Sequence, residues 1–150
     1  MSGSEENPVP RRVVTVKRDG RASVLRDEAV ATPFRWGSVV WPLEPEDPDR
    51  TALHPGEVSW RMYTLPSDEE LDAYIAQRYG GHGGAGMHAT PTTDYILVLE
   101  GRVALVLDDE TVELGPGDLV VQQGTAHAWR VREGPVRLSV LMVGIDRKHQ

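Results

Sequence analysis

The sequence has no cysteine, only one phenylalanine and no long run of apolar residues. The lack of cysteine excludes disulfide bonds and thiolate metal ligands. Because no apolar run approaches the length that spans a bilayer, we expect no membrane contact. The first residues, Met1 to Pro8, are polar and acidic, which is not the pattern of a secretory signal. The simplest expectation is a cytoplasmic protein.

Basic residues are also outnumbered. The chain has 16 Lys and Arg against 23 Asp and Glu, which gives a net charge of −7 and a pI near 5.2. Binding nucleic acid needs a basic surface that displaces counterions, so we expect no nucleic-acid partner. The 150 residues can bury a core as one domain. We expect residues 1–10 to be a disordered tail and 11–150 to form this domain.

Short apolar segments separated by turn residues dominate the chain, which is typical of an antiparallel sandwich or barrel. Residues 11–29 are predicted to form a hairpin that turns near Asp19 and Gly20. Residues 34–41 and 58–65 are predicted strands. From Asp94 onward, six short strands are predicted: Asp94–Glu100, Val103–Leu107, Thr111–Leu114, Leu119–Gln122, His127–Val131 and Val136–Val143.

One helix is predicted, over residues 67–80. Ser67 and Glu70 form a capping-box pattern at its start, and Gly80 is a typical residue for its end. Apolar residues recur at helical spacing on one face: Leu71, Tyr74, Ile75 and Tyr79. A glycine-rich loop follows, residues 80–86. We expect a surface connection here, with a mobile lid over a pocket as the alternative.

Two histidines and one acidic residue fall at the ends of predicted strands. His88 and Asp94 lie in the segment 87–95, and His127 lies in the segment 120–129. Two imidazoles and a carboxylate are usual ligands for a single divalent metal ion inside a β-barrel, and they leave positions open for substrate.

The first of these segments resembles a motif of the cupin family, whose members are small antiparallel β-barrels that often hold one metal. When the motif is anchored on Gly101, its acidic position falls on Asp94. Its two histidine positions fall on His88 and Thr90. One family histidine is therefore a threonine here, and the usual glutamate is an aspartate.

The second segment resembles the second cupin motif. The glycine and histidine positions of that motif fall on Gly124 and His127. Its proline and asparagine positions are occupied by Gln122 and Val131. The resemblance covers about residues 86–143, and it is similar to a subgroup of small single-domain cupins associated with natural-product pathways.

The resemblance implies an all-β fold, a cupin antiparallel β-barrel of the jelly-roll or double-stranded β-helix type. The core barrel would span about residues 58–145, with the helix at 67–80 inserted before the first motif. Antiparallel barrels must protect their edges, so the N-terminal strands are expected to pair with a second subunit. Since cupins are commonly dimers, we expect a homodimer.

The resemblance further implies one divalent metal ion, Fe, Zn, Mn or Ni, held by His88, Asp94 and His127. The alternative is a metal-free barrel in which the two histidines form hydrogen bonds with Asp94 and Thr90. We expect Gln122 to orient substrate or to act as a fourth ligand. His82, in the glycine-rich loop, is a candidate general base.

A substrate pocket is predicted from four residues: Thr90, Trp129, Met62 and Trp60. Trp129 shares strand parity with His127, which favours its place in the pocket. Arg61 could hold a substrate carboxylate in two hydrogen bonds if it faced inward, but its alternation with Trp60 and Met62 predicts the opposite face.

Three functions remain open on this sequence. The first is a metal-dependent lyase or isomerase that acts on a carbonyl-containing metabolite such as a polyketide, by decarboxylation, dehydration or cyclisation. The second is an Fe(II) dioxygenase that uses the same three ligands. The third is a non-catalytic barrel that binds a small molecule.

Overall fold

The computed structural model describes residues 9–30, 33–79 and 87–146. Most of the predicted tail, together with the glycine-rich loop at 80–86 that contains His82, lies outside the described residues. The elements are β1 (Arg11–Arg18), β2 (Arg21–Ala29), β3 (Pro33–Phe34), β4 (Gly37–Trp41), β5 (Val58–Thr64), α1 (Asp68–Tyr79), β6 (Thr92–Val106), β7 (Thr111–Leu114), β8 (Leu119–Gln123) and β9 (Ala128–Gly144). This antiparallel, mostly β architecture with a helix before the first motif confirms the predicted fold class.

The strands form one large sheet and one separate ribbon. In the large sheet the order is β3-β4-β5-β9-β6-β7, with β8 also paired to β6, and every pairing is antiparallel. Among the described strands, β1 and β2 pair with each other and not with the large sheet. They join at a two-residue turn where Asp19 and Gly20 both have positive φ, the geometry that Asp-Gly favours. The predicted hairpin is confirmed.

β6 and β9 are long strands that pair with each other along most of their length. The sequence predicts a turn that ends one strand at Gly101 and another near Gly134. In the structure, each strand bends at that point and continues. Gly101 has a φ of +82°, and a Cβ at this position would collide with the carbonyl oxygens of Glu133 and Pro135. Four predicted strands are therefore two bent ones, because glycine lets the two backbones cross closely.

The inner faces of the bent strands form the core. Ile96 and Val98 are buried on the same face of β6 as Asp94, which confirms the predicted parity. From β9, Leu138, Val140 and Met142 complete this layer: all three are almost fully buried. The buried face of β6 therefore carries both core residues and the candidate metal ligand Asp94.

The helix α1 begins where the capping signal predicts. The backbone N–H of Glu70 donates to Ser67 Oγ at 3.2 Å, which caps the first turn. Leu71 and Ile75 are buried against the core. Among the described residues, no helix is long and apolar enough to cross a membrane.

Two polar contacts hold α1 against β9. Asp68 Oδ1 accepts a hydrogen bond from the Val131 backbone N–H at 2.8 Å. Asp72 forms an ion pair with Arg130, also at 2.8 Å. The helix is thus attached beside the first residues of β9, next to Trp129. The loop that would serve as its hinge lies outside the described residues, so the lid alternative stays a prediction.

Candidate functional site

A cavity of about 110 Å³ opens between the inner face of the sheet, the β3–β4 hairpin and α1. Its floor comes from β6 and β9, and its walls include the aromatic rings of Trp36, Tyr63, Tyr74 and Trp129. The polar side chains that reach it include four of the predicted site residues: His88, Thr90, Asp94 and His127. Together these residues give a mostly apolar pocket with a few convergent polar groups, the usual form of a small-molecule site.

The two histidines are brought together by a short backbone bridge. His88 N–H donates to the His127 carbonyl at 3.0 Å, and His127 N–H donates to the His88 carbonyl at 2.9 Å. Directly opposed residues in an antiparallel pair project to the same face. The imidazole rings accordingly lie 4.5 Å apart between centroids, and the Trp129 ring lies edge-on to His127 at 6.0 Å.

His127 has a defined tautomer. Its Nδ1 lies 2.8 Å from the Thr125 carbonyl oxygen, which can only accept, so Nδ1 carries the proton and Nε2 keeps its lone pair. Burial, and then the charge of the neighbouring His88, lowers the pKa of His127 to about 4, although the hydrogen bond to Thr125 opposes this. The ring is therefore neutral at pH 7 and presents Nε2 as an acceptor or a ligand.

Asp94 ends a buried chain of hydroxyl groups. Thr92 Oγ donates to Asp94 Oδ1 at 2.6 Å, and the hydroxyl oxygens of Thr90 and Thr92 lie 2.8 Å apart. Burial raises the pKa of Asp94 from its ordinary 3.8 to about 6, and the hydrogen bond from Thr92 offsets part of this effect. A carboxyl group with a pKa near neutrality can both accept and return a proton.

The predicted metal site is only partly assembled. Two adjacent imidazoles, one with a defined Nε2 lone pair, are suitable donors for a divalent ion. However, within residues 9–30, 33–79 and 87–146, no group of three His, Cys, Asp or Glu side chains is arranged to hold a metal ion. Asp94 is engaged by Thr92 instead. The described side chains therefore do not fit the three-ligand set that the sequence predicts.

Gln122 has a different place from the one predicted. It lies opposite Asp94 in the β6–β8 register and is buried, but it does not line the cavity. Its side-chain amide donates to the carbonyl and the hydroxyl of Thr125. Since the same carbonyl accepts from His127 Nδ1, Gln122 supports the loop that orients His127. The other predicted catalytic residue, His82, lies outside the described residues.

Two predicted pocket residues, Trp60 and Met62, face away from the cavity. Trp60 is 43% exposed, and its indole N–H donates to Ser139 Oγ on the outer face of the sheet. Met62 shares that face. The expectation that the apolar side chains of β5 turn inward is wrong. Arg61 and Tyr63 line the cavity, whereas Trp60 and Met62 lie on the outer face of the sheet.

The residue that sequence reasoning placed on the wrong face is Arg61. It is 3% exposed and lines the cavity together with Tyr63. The signal was the alternation itself, since Ser59, Arg61 and Tyr63 form a set suited to a polar cavity wall. α1 also contributes to the wall through Leu71, Tyr74 and Ile75, a position beside the pocket that only the lid alternative gave it.

Comparison with known proteins finds a family match in the C-terminal half of the chain. Residues 76–144 match the model of the Cupin_2 family, described as a cupin domain. Two proteins of Diaporthe leptostromiformis, phomopsin biosynthesis cluster proteins C' and D, are each 40% identical over 67 residues. That match covers 44% of this chain and 35% of each relative, so the chain spans about a third of the length of these relatives.

Solved structures with a similar course of the chain share little sequence. The conserved SPY1581 protein of unknown function from Streptococcus pyogenes is 17% identical with a TM-score of 0.43, covering 63% of this chain and 70% of that one. DMSP lyase DddQ from Ruegeria pomeroyi is 22% identical with a TM-score of 0.43, covering 59% and 39%. Similarity at this level bears on neither substrate nor reaction. Residues 76–144 thus carry a cupin domain by the family match, and the antiparallel fold agrees with that match.

Proposed function

We propose that this protein is a lyase- or isomerase-type enzyme that moves a proton on a small carbonyl-containing metabolite. The observation that carries the proposal is a buried carboxyl group, Asp94, in the same aromatic-walled cavity as two adjacent imidazoles. The 40% identity to proteins named for a phomopsin biosynthesis cluster supports a natural-product metabolite. These features suit carbon-acid chemistry because the cavity walls are largely apolar and the polar groups that reach it are few.

In this proposal Asp94 is the general base. Its carboxylate takes a proton from the carbon next to the substrate carbonyl, which breaks the C–H bond and leaves an enolate. The protonated Asp94 returns the same proton to another position, so an isomerisation balances without a further reactant. The hydroxyl chain from Thr90 through Thr92 holds the carboxyl group in one orientation.

His127 has a binding role in this scheme. Its neutral ring offers the Nε2 lone pair to a hydroxyl or enol proton of the substrate, while Nδ1 remains bonded to Thr125. Gln122 keeps Thr125 in place. Trp36, Tyr74 and Trp129 supply flat apolar walls, which favour a planar or aromatic substrate.

Hydrogen–deuterium exchange tests this function without knowledge of the natural substrate. Phenylpyruvate in D₂O, followed by ¹H NMR, reports the loss of its acidic methylene protons. We expect the wild-type protein to accelerate exchange above the buffer rate and Asp94→Asn to lose this acceleration. Acceleration that persists in Asp94→Asn, or none for phenylpyruvate and a panel of 1,3-dicarbonyl compounds, would contradict the proposal.

The divalent metal ion remains a separate prediction. His88 and His127 would be its ligands, and Asp94 would have to leave Thr92 to become the third. Elemental mass spectrometry of tag-free protein, before and after reconstitution with Fe, Mn, Ni and Zn, measures the metal content. Near-stoichiometric metal that is lost in a His88→Ala/His127→Ala variant would support the metal-dependent form of the enzyme. Oxygen consumption with bound Fe(II) would support the dioxygenase alternative.

We also propose that a second copy of the chain covers the outer face of the sheet. One row of outward side chains runs across five strands in register: Trp41, Trp60, Leu141, Tyr95 and Val121. The outward positions on either side are also uncharged: Val58, Met62, Thr93, Leu97, Leu119, Gln123, Ser139 and Val143.

An uncharged face of this size is unusual in a chain with 26% charged residues. Trp60, Tyr95 and Val121 are 43%, 49% and 58% exposed in the single chain. An uncharged face cannot form ion pairs with a charged partner. In a two-fold symmetric dimer, however, the same patch on each of the two copies can pack against its equivalent. The proposed homodimer therefore uses the sheet face, whereas the sequence suggested the N-terminal strands.

A further inference from the structure

The cavity wall contains one buried cation, Arg61, whose described contacts do not include a counter-ion. Its side chain is 3% exposed. Within the described part of the chain, no carboxylate lies within salt-bridge distance of it, although seven other arginines form such pairs. A buried charge without a counter-charge is unfavourable, so a site of this kind favours the binding of an anion.

The guanidinium group is held in place by neutral contacts. Arg61 Nε donates to Ser59 Oγ at 3.0 Å, and Nη2 donates to the Arg50 carbonyl at 2.5 Å. The Phe34 ring lies below the guanidinium carbon at 5.1 Å from its centroid. An arginine has five N–H donors, and these two bonds use two of them. The group is thus oriented in advance, with donor capacity that remains for a ligand in the cavity.

Arg61 and the proposed base lie at a distance that one small molecule can span. Arg61 pairs with Val140, and Val140 pairs with Ile96, two residues after Asp94 on the same face of β6. Two interstrand spacings, about 10 Å, and the rise of two residues along β6, about 7 Å, therefore place the backbones of the two residues about 12 Å apart. Both side chains line the same cavity, so a ligand held at Arg61 extends along the floor towards Asp94.

The other charged side chains at the cavity are less suited to this role. Arg35 is exposed, and its guanidinium carbon lies over the Tyr74 ring at 4.9 Å from the centroid. Asp49 also lines the cavity and carries the opposite charge. Its Oδ1 accepts from the backbone N–H of Arg35 at the cavity mouth. Arg61 is therefore the deepest positive group in the pocket.

We propose that Arg61 binds the carboxylate of the substrate, so that the cavity selects a flat carbonyl compound that is also a carboxylic acid. This inference rests on the proposed function for the identity of the reacting carbonyl, but the anion site itself does not need any turnover. A planar guanidinium fork matches a carboxylate in two parallel hydrogen bonds, which a neutral amide or ester cannot form.

Calorimetric titration with cinnamate and cinnamamide tests the anion site directly. The two probes share shape and ring, and neither has an exchangeable proton next to a ketone. We expect the wild type to bind cinnamate at least about tenfold more tightly than cinnamamide. Arg61→Met should lose that preference, Arg61→Lys should keep part of it, and Arg35→Met should keep it fully. Equal affinity for the two probes in the wild type, or binding of neither at millimolar concentration, overturns the proposal.

The variants separate this proposal from the proposed function. A cinnamate preference that depends on Arg61, together with no exchange of phenylpyruvate protons, supports the anion site and rejects the proton-transfer activity. Acceleration of phenylpyruvate exchange with an unchanged KM in Arg61→Met supports the activity and rejects the anion site. If Arg61→Met does not fold by circular dichroism, the wild-type comparison of the two probes and the Arg61→Lys variant decide the question.

Discussion

Replacing Asp94 by asparagine should stabilise the protein at high pH and leave its stability almost unchanged at low pH. The side chain is 7% exposed and its pKa is raised to about 6 by burial, so the folded protein binds the proton more tightly than the unfolded chain does. Between pH 4 and pH 6 the native state therefore carries more protons than the unfolded state. Stability must fall as the pH rises through this window.

The size of the effect follows from the two pKa values. The step from 3.8 to about 6 corresponds to about 3 kcal/mol of unfolding free energy, at 1.36 kcal/mol for each tenfold change in proton affinity. This penalty is absent below pH 4 and fully present above pH 6. Asparagine keeps the shape of the side chain and an oxygen for the Thr92 hydroxyl, but it cannot ionise.

Urea unfolding at pH 4 and pH 8 measures the difference. We expect Asp94→Asn to be more stable than the wild type at pH 8 by up to about 3 kcal/mol, with a near-zero difference at pH 4. Asp109→Asn, on an exposed turn, removes the same charge without removing a buried carboxyl group and serves as the matched control. A stability difference for Asp94→Asn that does not change with pH would refute the reasoning.

Three other perturbations test the fold and the assembly. Gly101→Ala should destabilise the protein by more than about 2 kcal/mol in urea unfolding, because of its positive φ and two close carbonyls, while Gly56→Ala, with a similar φ but open space, should cost about 1 kcal/mol. Trp60→Glu should convert a dimer to a monomer in sedimentation velocity, and a monomeric wild type would contradict the proposed interface. Arg130→Met, which breaks the ion pair with Asp72, should increase hydrogen exchange in α1 with a loss of about 1 kcal/mol or less.

The sequence predicted the parts of the fold that depend on local chemistry. The Asp-Gly turn, the cap at Ser67 and the inward parity of Asp94 each follow from one or two residues and their immediate neighbours. The continuity of β6 through Gly101 could not be predicted, because it depends on where Pro135 crosses in space. From the sequence alone, a glycine in a turn cannot be distinguished from a glycine in a bent strand.

The candidate site was predicted in part for a similar reason. The family spacing placed His88, Asp94 and His127 at one cavity, since strand alternation and register control where each side chain points. The inward and outward faces of β5 were predicted the wrong way round. The prediction assumed that apolar side chains are buried, whereas the outer face of the sheet carries an apolar surface. The same assumption placed Arg61 on the outer face, although it lines the cavity. A strand can therefore turn its polar side chains inward when one face lines a polar cavity and the other face belongs to an apolar surface.

The most direct test of the central claim is the pH–rate profile of phenylpyruvate proton exchange for the wild type and Asp94→Asn. If Asp94 is the base, the rate should rise with pH through an apparent pKa near 6, as its carboxyl group ionises, and then level off. Asp94→Asn should remain at the buffer rate across the same range. A wild-type profile without a step near pH 6, or an Asp94→Asn variant with the same profile as the wild type, would contradict the account.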